Sequence, residues 1–196
     1  MDRIWGIINH TNGDRTMTSI IKVDQIQTVA GGAPTVADLG VTIPAASVPT
    51  LTNTHMPAGS VLQALNNTGT NTANGGFLLQ TTSTNFVGVA SMNVEITPRS
   101  ASSKFIILVN TSHYRGGSAS FTIYRGSTNL GGSSHGMVRM TGGQGYWMPV
   151  SLTHLDSPNT TSAVTYQLYA RSESGTLYVG GDSDQLNNIT VMEIAG

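Results

Sequence analysis

Cysteine is absent from this 196-residue chain, so neither disulfides nor thiolate metal sites contribute to its stability or chemistry. Ionised side chains are scarce as well, at 10% of residues against about 25% in an ordinary soluble protein. With a formal net charge of -1, the surface carries no basic footprint, which argues against nucleic acid as a partner. No run approaches the ~18 apolar residues of a membrane span, so membrane insertion is not expected. The opening MDRIWGIINH also lacks the apolar stretch of a secretory leader.

What is present is a surface built from Ser, Thr, Asn, Gln and Gly. The apolar fraction, 38%, is too high for a disordered chain, and the large residues fall in separate short runs. One moderate domain plus a tail fits this length.

The tail is itself informative. Residues 20–41, IIKVDQIQTVAGGAPTVADLGV, hold too few large apolar side chains for a core and break at Gly31-Gly32 and Pro34. A segment of that size cannot bury enough surface to offset its ordering entropy. Another copy of the chain or a docking partner must hold it, with Ile21, Val23, Ile26 and Leu39 as the side chains expected to be buried there. Residues 1–16 differ from the rest and read as an upstream extension without an assigned role, Met1 and Met17 both being candidate starts. Residues 17–41 are the attachment segment.

Residues 42–58 follow as a spacer, TIPAASVPTLTNTHMPA. Pro44, Pro49 and Pro57 fix φ and hold their predecessors extended. At ~3.3 Å per residue the spacer would reach roughly 50 Å.

From residue 59 to 196 the apolar pattern has period two, as in half-buried antiparallel strands. Met92, Val94 and Ile96 alternate with Asn93, Glu95 and Thr97 until Pro98 ends the strand. The same alternation runs through Val164, Tyr166, Leu168 and Ala170, through Ala119, Phe121 and Ile123, and through Met148, Val150 and Leu152. Residues 60–64, 77–80, 86–90, 176–179 and 189–194 are further strand candidates. The run Phe105-Ile106-Ile107-Leu108-Val109 is apolar at every position, which places it centrally, with both faces covered. The expected fold is all-β: a jelly-roll-like antiparallel β-sandwich preceded by an extended N-terminal anchor and a Pro-containing spacer.

These residues resemble a family of small virion-surface and tail-fibre-like structural proteins of marine and cyanobacterial tailed phages. IKVDQIQTVAGGAPTVADLG is similar to a short N-terminal segment shared by such proteins. ITPRSASSKFIILVN, FTIYRGSTNLG, LDSPNTTSAVTYQLYAR and the closing ITVMEIAG resemble successive strands and loops of their body. The resemblance covers roughly residues 20–196. It implies a virion location and a homotrimer that docks on other virion proteins.

Catalytic constellations are weak by comparison. His10, His55, His113, His135 and His154 are scattered, without H-x-H or H-E-x-x-H spacing. His154 and Asp156 could form a base and its orienter beside Ser151 or Ser157, although a Ser-rich chain supplies such neighbours by chance. A glycosidase needs two facing carboxylates, whereas Glu95, Asp156, Glu173, Asp182, Asp184 and Glu193 sit singly. No enzyme activity and no cofactor are expected.

Two loops remain as candidate sites. Asp182, Asp184, Asn187 and Asn188 in GGDSDQLNN gather oxygen ligands and form a calcium candidate, although the bidentate Glu of a calcium loop is missing; the alternative is a hydrated turn. The glycine-rich loop 131–147 carries Arg139, Tyr146 and Trp147, and the short TSHYRGG carries His113 and Tyr114. These five residues are candidates for contact with a host-surface glycan or protein, or with another subunit. The function expected is a tail-fibre or adhesin component; a capsid decoration or head-appendage protein and a free-standing glycan-binding module are the alternatives.

Overall fold

The computed structural model describes residues 56–70, 76–115, 117–141, 145–181 and 185–196. The anchor residues Ile21, Val23, Ile26 and Leu39, with nearly all of the spacer, lie outside them.

Among the described residues there is no helix and there are eleven strands: β1 (Val61–Thr68), β2 (Leu79–Thr81), β3 (Val87–Ile96), β4 (Lys104–Arg115), β5 (Ala119–Arg125), β6 (Thr128–Asn129), β7 (Val138–Met140), β8 (Met148–Asp156), β9 (Val164–Ser172), β10 (Leu177–Val179) and β11 (Asn188–Ile194). All pairings are antiparallel.

The order within each sheet follows from the long strand β4. One edge carries β8 from Phe105 to His113, so β11 and β10, which pair with 104–110 and 113–115, must share the other edge. Beyond them β1 lies on β11 and β2 on β10, giving lanes β1/β2, β11/β10, β4 and β8. The second sheet runs β3, β9, β5, with β6 and β7 sharing the far edge of β5. Numbered by first appearance, the lanes run 1-8-3-6 and 2-7-4-5, a jelly roll.

Strand alternation decides which side chains meet between the sheets. Met92, Val94 and Ile96 from β3, Phe105, Ile107 and Val109 from β4, Ala119, Phe121 and Ile123 from β5, and Tyr166, Leu168 and Ala170 from β9 are all buried. Phe105 approaches Tyr166 across the layer at 5.9 Å between ring centroids. The candidate strands 86–90 and 92–96 prove to be one strand, because Ser91 takes a φ of +59° and a bulge absorbs the break. Four residues of β3, 89–92, there oppose Leu168 alone, so Val89 and Met92 both turn inward despite their odd spacing.

The central position expected for Phe105–Val109 is correct, but its expected two-sided cover is met differently on each face. Phe105, Ile107 and Val109 are buried between the sheets, whereas Ile106 and Leu108 lie half-buried on the outer face of the first sheet. There Ile106 stands in a row with Leu155, Met192 and Ala64, and Leu155 is 57% exposed. The second sheet is different: Ser120 and Thr122 on its outer side are fully buried, with Gly131 and Gly136 of the β6–β7 connection packed against Thr122.

Two ionic clusters brace the body. Arg125 Nη1 donates to both Asp156 carboxylate oxygens, at 2.8 and 2.7 Å, and the Tyr166 hydroxyl donates to Oδ2 at 2.7 Å. Burial, then the neighbouring Asp156 carboxylate, pushes the Tyr166 hydroxyl well above its ordinary value, so it remains a donor. Both Asp156 oxygens are thus engaged by Arg125 and Tyr166, which makes Asp156 a structural partner of those two side chains.

Glu173 gathers the second cluster. Ser120 Oγ donates at 2.7 Å, Arg139 Nε at 2.6 Å and Arg171 Nη2 at 3.2 Å, and His135 Nδ1 lies at 3.0 Å. Burial alone would raise the pKa of this carboxyl, but the hydrogen bonds from Ser120, Arg139, His135 and Arg171 outweigh it and bring the value from 4.5 down to about 2. A group with a depressed folded-state pKa stabilises above its unfolded value and loses that contribution as pH falls toward the folded one. Acid titration of stability should therefore show a loss between pH 4.5 and about 2 that is reduced in Glu173→Gln, checked by urea melts at each pH.

Candidate functional site

The candidate surface residues separate in the fold. His113 is fully buried: on β4 it shares the inward parity of Phe105, Ile107 and Val109, pairs with Met148 and Val179, and meets Phe121 edge-on at 5.2 Å. It is therefore removed from the contact surface. Its Nδ1 lies 3.0 Å from the Met148 carbonyl oxygen. Arg139, on β7, is held by Glu173 at the edge of the other sheet. Tyr114, Tyr146 and Trp147 remain.

Tyr114 follows His113 and so points outward, directly opposite Tyr178 of β10. Four rings close into a ring of neighbours there. Phe77 lies 4.8 Å from Tyr178, Tyr178 5.9 Å from Tyr114, Tyr114 5.6 Å from Trp147, and Trp147 6.1 Å from Phe77. Together they line a hollow of ≈ 350 Å³. Trp147 is 40% exposed and its neighbour Tyr146 74%.

Glycine makes room for this arrangement. Gly180 leaves β10 at a φ of +62°, which other residues adopt only with strain, and its N–H donates to the Ser112 carbonyl at 2.8 Å. A Cβ on the next residue, Gly181, would overlap the Trp147 ring, so the indole lies directly on the backbone.

Trp147 also lines a second hollow of ≈ 440 Å³, together with Asn110, Ser112, Ser151, Gln185 and Leu186 among others. Its polar groups are already oriented. Ser151 Oγ donates to Asn110 Oδ1 at 3.0 Å, Asn110 Nδ2 to Asn188 Oδ1 at 3.5 Å, and Ser112 Oγ to Gln185 Oε1. Leu186 stands 82% exposed at the margin.

The calcium candidate fares less well. Asp182 and Asp184 lie outside the described residues. Asn187 is buried, with Oδ1 accepting from Thr111 Oγ1 at 2.8 Å and Nδ2 donating to the Gln185 carbonyl at 3.0 Å. Asn188 stands on the outer face beside Asn110, so the two asparagines diverge and do not converge on an ion. Among the described residues no group of three or more His, Cys, Asp or Glu could hold a metal.

Sequence reasoning missed Phe77 and Tyr178. The signal for Tyr178 was present in Leu177-Tyr178-Val179, where alternation turns the middle residue outward; nothing local places Phe77 beside it. In comparisons with known proteins, no family model matches the chain, and no curated protein matches it significantly.

Proposed function

We propose that this chain is a non-enzymatic structural protein of a tailed-phage virion, a tail-fibre or adhesin component that docks on other virion proteins through residues 17–41 and displays its jelly roll as a homotrimer. The resemblance in the N-terminal segment and body supports this reading. The observation that carries it furthest is the outer face of the first sheet. Its apolar row, Leu155, Ile106, Met192 and Ala64, is flanked by neutral Thr153, Leu108, Thr190 and Asn66, and among the described residues of its strands Lys104 at the margin is the one ionised side chain. Identical subunits bring like groups near one another, so a neutral apolar face suits a symmetric contact.

The test has two arms. Mass measurement of the full chain at micromolar concentration should give a trimer, and Leu155→Glu should shift it to monomer; a stable wild-type monomer would sink the assembly. Deletion of residues 20–39 should abolish incorporation into particles while the β-domain stays folded. Unchanged incorporation would refute the docking assignment, and labelling on heads instead of tails would move the role to capsid decoration.

A further inference from the structure

We infer that the two hollows that share Trp147 form a binding site for a neutral oligosaccharide, with the Phe77–Tyr114–Trp147–Tyr178 rings as a stacking platform and Asn110, Ser112, Ser151 and Gln185 as its hydrogen-bonding half. The biological use of the site rests on the attachment role proposed above; its chemistry does not.

The ligand class follows from what the lining offers and lacks. A pyranose ring presents a face of C–H groups and a rim of hydroxyls, and needs an apolar plate beside donors and acceptors of both kinds. The four rings supply the plate. Next to them, amides and hydroxyls supply both donors and acceptors without charge.

No Asp, Glu, Lys or Arg is among the described residues lining either hollow. An anionic ligand would lose hydration there without gaining a counter-charge, which disfavours uronates and sialylated glycans. Each hollow lies at the low end of the ~300–1,000 Å³ of small-ligand sites, and Trp147 belongs to both. With one indole shared between them, the two hollows fit consecutive sugar rings.

The platform is also built in advance. Tyr114 and Tyr178 are fixed as cross-strand neighbours, and Trp147 lies on Gly181, so little side-chain entropy remains to be lost on binding. Tyr114 stands eight residues along β4 from Ile106, about 26 Å at ~3.3 Å per residue, while Asn110 and Ser151 adjoin the Leu108–Thr153 flank of the proposed contact face, so the site runs from the border of that face to the far end of β4.

Calorimetric titration of the full chain with neutral gluco-, galacto-, manno- and N-acetylglucosamine oligosaccharides, alongside their uronic-acid counterparts and choline, tests this. At least one neutral series should bind saturably. Trp147→Ala and Asn110→Ala should each weaken it by about tenfold or more, with Thr128→Ala, exposed on β6 of the other sheet, leaving it unchanged and the melting temperatures preserved. The site is refuted if no neutral series binds up to roughly 10 mM, if uronates or choline bind in preference, or if Trp147→Ala leaves the affinity intact. Should the glycans fail while the chain still enters particles, this inference falls and the virion reading stands. Glycan binding by a chain missing from particles would reverse that outcome.

Discussion

Alanine at Asp156 is expected to destabilise the β-domain by about 3 kcal/mol, because it strands two groups at once. Arg125 loses a carboxylate that it holds through both oxygens, and the fully buried Tyr166 hydroxyl loses its acceptor. The larger part of the cost is the desolvated polar groups left behind, not the attraction removed. Tyr166→Phe removes a single donor and leaves the ion pair in place, so a loss of about 1 kcal/mol is expected. Replacing all three with apolar residues of similar volume, as Arg125→Met, Asp156→Leu and Tyr166→Phe together, should recover much of the stability lost in Asp156→Ala. Urea melts of the three proteins check the ordering; a triple variant weaker than Asp156→Ala would show that the network does more than satisfy its own members.

Phe121→Ala should cost more, about 3–5 kcal/mol, since it empties a site between the two sheets. Phe121 is fully buried, faces the His113 ring at 5.2 Å, and lies in the central strand β5 between β9 and β7. Backbone pairing on both sides limits how far the walls can collapse into the cavity. Phe121→Leu keeps most of the volume and should lose about 1 kcal/mol. Comparing the two by denaturant midpoint separates a cavity effect from loss of the aromatic contact, and keeps the test readable if the alanine variant fails to fold. Equal losses would place the effect in the ring contact with His113.

The strands were legible because their cause is local. Side chains on a strand alternate by the geometry of the backbone, so Met92-Val94-Ile96 and Tyr166-Leu168-Ala170 announced their buried faces without reference to any partner. The bulge at Ser91 was not legible. Nothing in GVASMN distinguishes an interruption from a strand end, and the choice was made by β9, whose Gln167 amide reaches the Val89 carbonyl at 3.2 Å.

The candidate site shows the same division. Tyr146 and Trp147 could be picked out as large aromatics in a glycine-rich loop. His113 and Tyr114 are sequence neighbours of similar character, however, and alternation guarantees only that they face opposite ways. Which of them is outside depended on the register of β4 against β8 and β10. Arg139 read as a free basic side chain on a loop, yet Glu173, distant in sequence, binds it at 2.6 Å once β7 and β9 flank β5.

By itself the sequence determined that this chain is poor in charge, with a formal net charge of -1, and without cysteine, and that its body is an all-β sandwich with β4 at the centre. These are consequences of composition and of a two-residue period, both properties of single segments. Only the tertiary structure decided which polar groups are spent on the fold and which remain on the surface. It committed Asp156, Glu173, Asn187 and His113 to the body and assembled Phe77, Tyr114, Trp147 and Tyr178 into one platform. The physical reason is that burial and clustering arise from pairing between strands far apart in the chain, and a local pattern says which way a side chain points but not what it will meet there.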